Sequence, residues 1–191
     1  MVTLTSGGHR LSDIRWEDPD FARGGYDDLG LVGYGQSKTA NILFTVELDR
    51  RYAGRGIRAF AVHPGVIAVT GLGPLRAPGE PLAGDDGTVR AWRSAGLFDD
   101  GGAAVVDPAN GTKTIQQGAS TTVFAATSPL LDGRGGLYLA DNDVAPIDPD
   151  ALADPMASAD VAPHAVDPGS ARRLWEITER MLDDDRAEVI G

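Results

Sequence analysis

Two short apolar runs with one long amphipathic run between them constrain this chain most. Val2, Thr3, Leu4 and Thr5 alternate β-branched and apolar side chains and stop at Ser6-Gly7-Gly8, the pattern of a short buried strand entering a turn. From about Gly33 to Tyr52 the period becomes helical: Ala40, Leu43, Phe44 and Leu48 form a stripe, which Ile42 and Val46 widen. Gly54-Arg55-Gly56 is a helix stop. Residues 57–62 (Ile-Arg-Ala-Phe-Ala-Val) predict a second strand, closed by His63-Pro64-Gly65. Strand, helix and strand at this spacing predict a crossover unit and a parallel sheet, hence an α/β fold.

Further along, residues 70–112 are rich in Gly, Pro and Asp, with one short helix expected near 89–97. A helix is expected over 114–126 and a third strand over 136–140. Residues 141–167 read as an irregular, surface-hugging tail. Asp167-Pro168 then opens a last amphipathic helix, expected to end at Asp183-Asp184-Asp185, with Trp175 in the core. The whole, residues 1–191, reads as one domain.

Composition removes several function classes. With 17 bases against 28 acids the net charge is −11, and no basic patch stands out, so a partner nucleic acid is not expected. There is no cysteine, which excludes thiol nucleophiles, disulfide frameworks and Cys-ligated metals. No apolar run approaches the roughly 20 residues of a membrane helix, and no leader pattern is present; no membrane association is expected, and the cytoplasm is the expected location. Neither Gly-x-Ser-x-Gly nor a P-loop occurs. Asp99-Asp100 and the 183–185 run read as solvated acidic ends, so no metal is expected. His63 reads as a packing or surface residue, His9 as a loop histidine and Lys113 as a surface residue at a helix start.

Two lysines, Lys38 and Lys113, stand among 17 bases. Lys38 follows Tyr34 by four residues, so on a helix the phenol and the ammonium share a face. A neighbouring ammonium favours the ionised form of a phenol, and a phenol so placed can exchange a proton with a carbonyl or alcohol oxygen. A hydroxyl at the carboxyl end of an adjacent strand could hold that oxygen, and Ser6 is placed there. Taken alone, the pair reads equally well as a surface tyrosine beside an exposed lysine.

In context the pattern is more specific. The strand ending in Ser6-Gly7-Gly8-His9, then Tyr34-Gly35-Gln36-Ser37-Lys38-Thr39-Ala40-Asn41, then Val62-His63-Pro64-Gly65-Val66, resembles the second half of a short-chain dehydrogenase/reductase of the retinol-dehydrogenase-like kind. The resemblance continues through Gly135-Gly136-Leu137-Tyr138-Leu139. It implies a partial Rossmann-like, doubly wound parallel sheet comprising the last three strands, with flanking helices. It also implies an NAD- or NADP-dependent oxidoreductase interconverting an alcohol with a ketone or aldehyde. In that reading Tyr34 is the general acid/base, and Lys38 holds the nicotinamide ribose and favours the ionised tyrosine. Ser6 orients the substrate oxygen, and Pro64, Gly65 and Val66 line the nicotinamide side. The family's threonine at the fifth position after the proline falls on Val69 here, which leaves Thr70, next to it, as the candidate. The 70–112 excursion would be a substrate lid, and its Leu72, Leu75, Trp92, Leu97 and Phe98 suggest an apolar substrate. A homo-oligomer through the Tyr34 helix is a further expectation.

The sequence also departs from the family. Gly33-Tyr34-Gly35 and Gly71-Leu72-Gly73 lack the third glycine of a dinucleotide-binding turn. The expected asparagine before the serine strand is also absent. The expectation is therefore a truncated part of a longer protein, with a non-catalytic α/β remnant as the alternative.

Overall fold

Three parallel strands carry the architecture. β1 (Val2–Leu4), β2 (Phe60–His63) and β3 (Leu137–Ala140) lie in that order, and a short β4 (Asp143–Val144) adds antiparallel to β3. Thr3, Ala61 and Tyr138 stand in register across the sheet. This is a computed structural model, and it describes residues 1–27, 30–68, 70, 87–108, 112–150 and 159–190, with only the backbone described at 87, 88, 91 and 184–190. Residues 71–86 and 109–111 of the expected excursion, with Leu72 and Leu75, lie outside the described residues, as do Val69 and residues 151–158 of the tail.

Helices cover both faces. α1 (Leu31–Tyr52) crosses from β1 to β2, and Asp27 caps its start, its carboxylate accepting the N–H groups of Leu31 at 2.9 Å and Val32 at 2.7 Å. A 3₁₀ turn and Gly56, at φ +78, end it. α1 packs Ile42 against Ala61, Tyr138 and Ala140. On the opposite face α3 (Ile115–Thr127), started by a Thr114–Gln117 capping box, sets Ala125 against Phe60, Val62 and Leu139. Ile42 and Leu43 are both fully buried, a contribution of about 2 kcal/mol each. α4 (Pro168–Ile190) lies on the other side of α1, with Leu43 and Ala171 buried between them and Trp175 stacked on Phe44, 5.7 Å between centroids.

Several expectations need correction. β2 begins at Phe60 rather than Ile57, because Asp49 claims the residues before it: its carboxylate pairs with Arg58 at 2.8 Å and accepts the Ala59 N–H at 3.0 Å. The sheet has four strands, not three, because Asp141 and Asn142, at φ 51 and 61, form a two-residue hairpin turn that folds the chain back as β4. α4 continues through the acidic run to Ile190. The helix expected near 89–97 is α2 (Gly87–Ser94), and Val89, Leu97 and Phe98 pack on Ala68 and Val66. Leu48 is only partly buried, whereas Thr45, Glu47 and Asp49 of the same helix are buried.

Candidate active site

β1 leaves the sheet at its carboxyl edge, the edge at which open α/β sheets bind ligands. Ser6 there is extended, and its Oγ accepts the Gly8 N–H at 3.1 Å, starting the 3₁₀ turn Gly7–Leu11. α1 approaches this turn closely because both sides carry glycine at the contact. A Cβ on Gly35 would lie 2.9 Å from the Ser12 nitrogen and 3.0 Å from the Gly8 carbonyl oxygen. A Cβ on Gly8 would lie 2.5 Å from Cε1 of Tyr34 and 3.5 Å from Oγ of Ser6, so the tyrosine ring sits against Gly8 beside the serine. Two further bonds fix the strand to the helix: the Thr5 hydroxyl donates to the Lys38 carbonyl at 2.8 Å, and the Asn41 amide donates to the Leu4 carbonyl at 3.1 Å.

Lys38 stands one helical turn beyond Tyr34, its Nζ 5.2 Å from the centroid of the tyrosine ring. Both side chains are half-buried, and no described residue supplies a hydrogen-bond partner to the Tyr34 hydroxyl or the Lys38 ammonium.

The second turn lies beside the first. Nδ1 of His63 accepts the Gly7 N–H at 3.2 Å and the Gly65 N–H at 3.4 Å, so one imidazole joins the serine turn to the Pro64-Gly65 turn. Gly65 has φ +85, and the stem of Lys113 lies 2.7 Å from where its Cβ would be. Val66 bridges to Thr112, and the Lys113 N–H donates to the Val66 carbonyl at 2.8 Å. Lys113 is therefore buried, not a surface residue, and its ammonium pairs with Asp141. Burial, with Lys113 and Arg10 nearby, pushes His63 down to about 4. Thr70 is turned toward its own loop, its hydroxyl donating to the Ile67 carbonyl at 3.0 Å.

The structure thus gathers Ser6, Tyr34 and Lys38, sets Pro64, Gly65 and Val66 alongside, and leaves Thr70 engaged with Ile67. His9 is fully buried rather than a loop residue. Its one sequence signal was its place three residues after Ser6. Among the described residues no three His, Asp or Glu side chains form a group able to hold a metal ion, and no helix is long and apolar enough to cross a membrane.

Comparison with known proteins adds an independent line. No protein-family model matches the chain. It is 42% identical over 176 residues to a "probable oxidoreductase" of Streptomyces lividans, covering 92% of this chain and 52% of that one. It is 32% identical over 184 residues to short-chain dehydrogenase/reductase prx1 of Penicillium rubens, covering 96% and 46%, and 30% identical to the human WW domain-containing oxidoreductase, covering 96% and 37%. The crystal structure of an uncharacterized protein from Mycobacterium paratuberculosis shares the fold, with TM-score 0.52 and 24% identity over 94% of this chain and 48% of that one. The chain spans about half the length of the curated relatives it matches, and it belongs to the short-chain dehydrogenase/reductase family.

Proposed function

We propose that this chain carries the catalytic half of an NAD(P)-dependent oxidoreductase that interconverts an alcohol with a ketone or aldehyde. The observation that carries the reading is the unspent hydrogen-bonding capacity gathered at one sheet edge: the Tyr34 hydroxyl and the Lys38 ammonium, both without described partners, beside the Ser6 hydroxyl. These groups suit the nicotinamide end of a dinucleotide. Lys38 would hold the ribose, and Pro64, Gly65 and Val66 would line the ring, with Thr70 at the margin. The sequence has no glycine-rich strand-to-helix turn for the diphosphate, so that part of the cofactor finds no fit in these residues. When bound, the dinucleotide supplies or accepts the hydride.

The remaining work falls to the side chains. Ser6 donates to the substrate oxygen and orients it. Tyr34 gives a proton to that oxygen during reduction and takes it back during oxidation. The Lys38 ammonium stands beside that ring, 5.2 Å from its centroid. The described part of the 70–112 excursion packs on Val66, next to the Pro64-Gly65 turn, which supports a lid over an apolar substrate.

The test is nicotinamide-linked reduction of apolar ketones and aldehydes. Tyr34→Phe is expected to lower turnover by about 100- to 10,000-fold with unchanged thermal unfolding. Equal turnover in wild type and Tyr34→Phe would overturn the mechanism. A second reading, a non-catalytic α/β module that acts through association, is favoured by Leu4, 57% exposed on the edge strand β1. It predicts no turnover in either protein.

A further inference from the structure

His9 occupies an unusual position for a residue three places after a candidate catalytic serine. It is fully buried, and both ring nitrogens are engaged. Nδ1 lies 2.8 Å from the Ser6 carbonyl oxygen, which can only accept, so Nδ1 carries the proton. Nε2 receives the main-chain N–H of Ala162 at 3.0 Å, so Nε2 is bare. The pattern defines one neutral tautomer. The His9 main-chain N–H also donates to the Ser6 carbonyl, at 3.2 Å, so one residue holds that carbonyl twice.

The same residue is anchored from behind. The His9 carbonyl has the Thr39 hydroxyl at 3.0 Å and Nε2 of His164 at 3.1 Å. Thr39 follows Lys38 on α1, whereas Ala162 and His164 belong to a segment about 150 residues away in sequence. Arg10 donates to the Asp160 carbonyl of that segment as well. The serine turn, the tyrosine helix and the 159–166 segment therefore meet at His9. Ser6 is followed by two glycines, whose backbones are the least restricted of any residue, so without an external tie the turn has many ways to sit.

We infer that His9 is a positioning residue for Ser6: the Nδ1–H of its imidazole holds the serine carbonyl and so fixes where the serine hydroxyl points, while Nε2 seats the ring on the main chain of Ala162. This rests on the oxidoreductase reading for its catalytic consequence, but the wiring itself stands apart from it. A displacement of about 1 Å in a positioned group costs about 100-fold in rate, so the tie matters even though His9 need not touch substrate.

Three variants separate the two nitrogens. In His9→Asn the side-chain amide reaches the place of Nδ1 and keeps the Ser6 bond; in His9→Gln the longer side chain reaches the place of Nε2 and keeps the Ala162 bond; His9→Phe keeps neither. Positioning predicts that kcat per folded molecule falls less in His9→Asn than in His9→Gln or His9→Phe. The latter two should fall about 10- to 100-fold at unchanged KM for the nicotinamide nucleotide. His9→Gln matching or exceeding His9→Asn overturns the inference, as does wild-type kcat in all three. A readout independent of turnover is the amide spectrum of the ¹⁵N-labelled chain. His9 should carry its proton on Nδ1, and the Gly8 amide, bonded to Ser6 Oγ, should hold its position in His9→Asn and shift in His9→Gln. A proton on Nε2, or a Gly8 amide indifferent to the choice of variant, refutes the wiring. Absence of turnover in wild type would sink the oxidoreductase reading alone, and these resonances would then decide the role of His9 by themselves.

Discussion

α1 and α3 cover opposite faces of one small sheet by different means. α1 buries Thr39, Thr45, Glu47 and Asp49, and every one of these is tied: Thr39 to carbonyls of the serine turn, Thr45 to Asn41, Glu47 to Arg50 and Arg51, Asp49 to Arg58 and Ala59. α3 contains no charged residue in its 13 positions and buries Gly118, Thr121 and Ala125, with Gly118 in the path of Ile67 and Thr121 accepting the Asn142 N–H, the one hydrogen bond of these buried side chains among the described residues. Apolar contact is non-directional and tolerates small slides, whereas hydrogen bonds of 2.7–3.2 Å fix separation and angle. The candidate site lies on the α1 side. At the Tyr34 end of α1, the Thr39, Thr5–Lys38 and Asn41–Leu4 hydrogen bonds tie the helix directly to the serine turn and to β1, and looser packing serves where no chemistry is placed.

Acid should expose this asymmetry most. Burial pushes His9 down to about 4, with Arg10 and His164 adding to it, and His63 falls to about 4 as well. Each is neutral in the folded chain, yet each takes up a proton near pH 6.5 once unfolded. The unfolded state then binds more protons as pH drops, so stability is full above about pH 6.5 and is lost as pH falls toward 4. Between pH 7 and 5 the loss is on the order of 2 kcal/mol for each histidine. Urea unfolding at the two pH values checks the sum, and His63→Gln should remove about half of the slope. The carboxyl group of Glu47, held below its usual range by hydrogen bonds from Arg50 and Arg51 despite its burial, acts in the same direction at lower pH. A flat profile from pH 7 to 5 would show that the imidazoles are not held neutral.

The next largest effect tests a single directional tie. Asp49 accepts from Arg58 Nε at 2.9 Å, Arg58 Nη2 at 2.8 Å and the Ala59 N–H at 3.0 Å, linking the end of α1 to the residues just before β2. Asp49→Ala removes all three and leaves a buried main-chain donor unpaired, at a cost of about 3 kcal/mol. Thr121→Val on α3 makes a matched control, since only the Asn142 N–H loses its acceptor. Equal losses in the two variants would erase the contrast between the faces.

The same contrast explains what could be read in advance. The limits of α1 follow from its apolar period and glycine stop, and the shared face of Tyr34 and Lys38 follows from their spacing, because both are local properties. The start of β2 was not legible, since Asp49 intercepts Arg58 and Ala59 from across the helix. β4 was not legible either: it has two residues, and its turn is Asp141-Asn142 without the glycine that usually announces such a hairpin. The sequence reads His9 as a loop residue and Lys113 as a surface one, because their burial depends on distant partners, Ala162 for one and the Gly65 and Asp141 turns for the other. The polar side of α1 carries no periodic signature, because threonines and carboxylates pointing inward look like a solvated face until their partners are known.

The smallest expected change bears on the opposite face. Val123 on α3 is 58% exposed, and Ile115, two turns earlier, is 52% exposed. If α3 is held by its inner residues alone, Val123→Lys removes little packing and exchanges a β-branched residue for a better helix former, so the urea midpoint should move by less than about 0.5 kcal/mol equivalent. The added positive charge also offsets one unit of the −11 on the chain. A loss above about 1 kcal/mol would place Val123 in a packed contact of the folded chain in solution. α3 would then be fixed on its outer side as firmly as α1 is fixed by its hydrogen bonds, and the division between a directional and a tolerant face would fail at the helix that defines it.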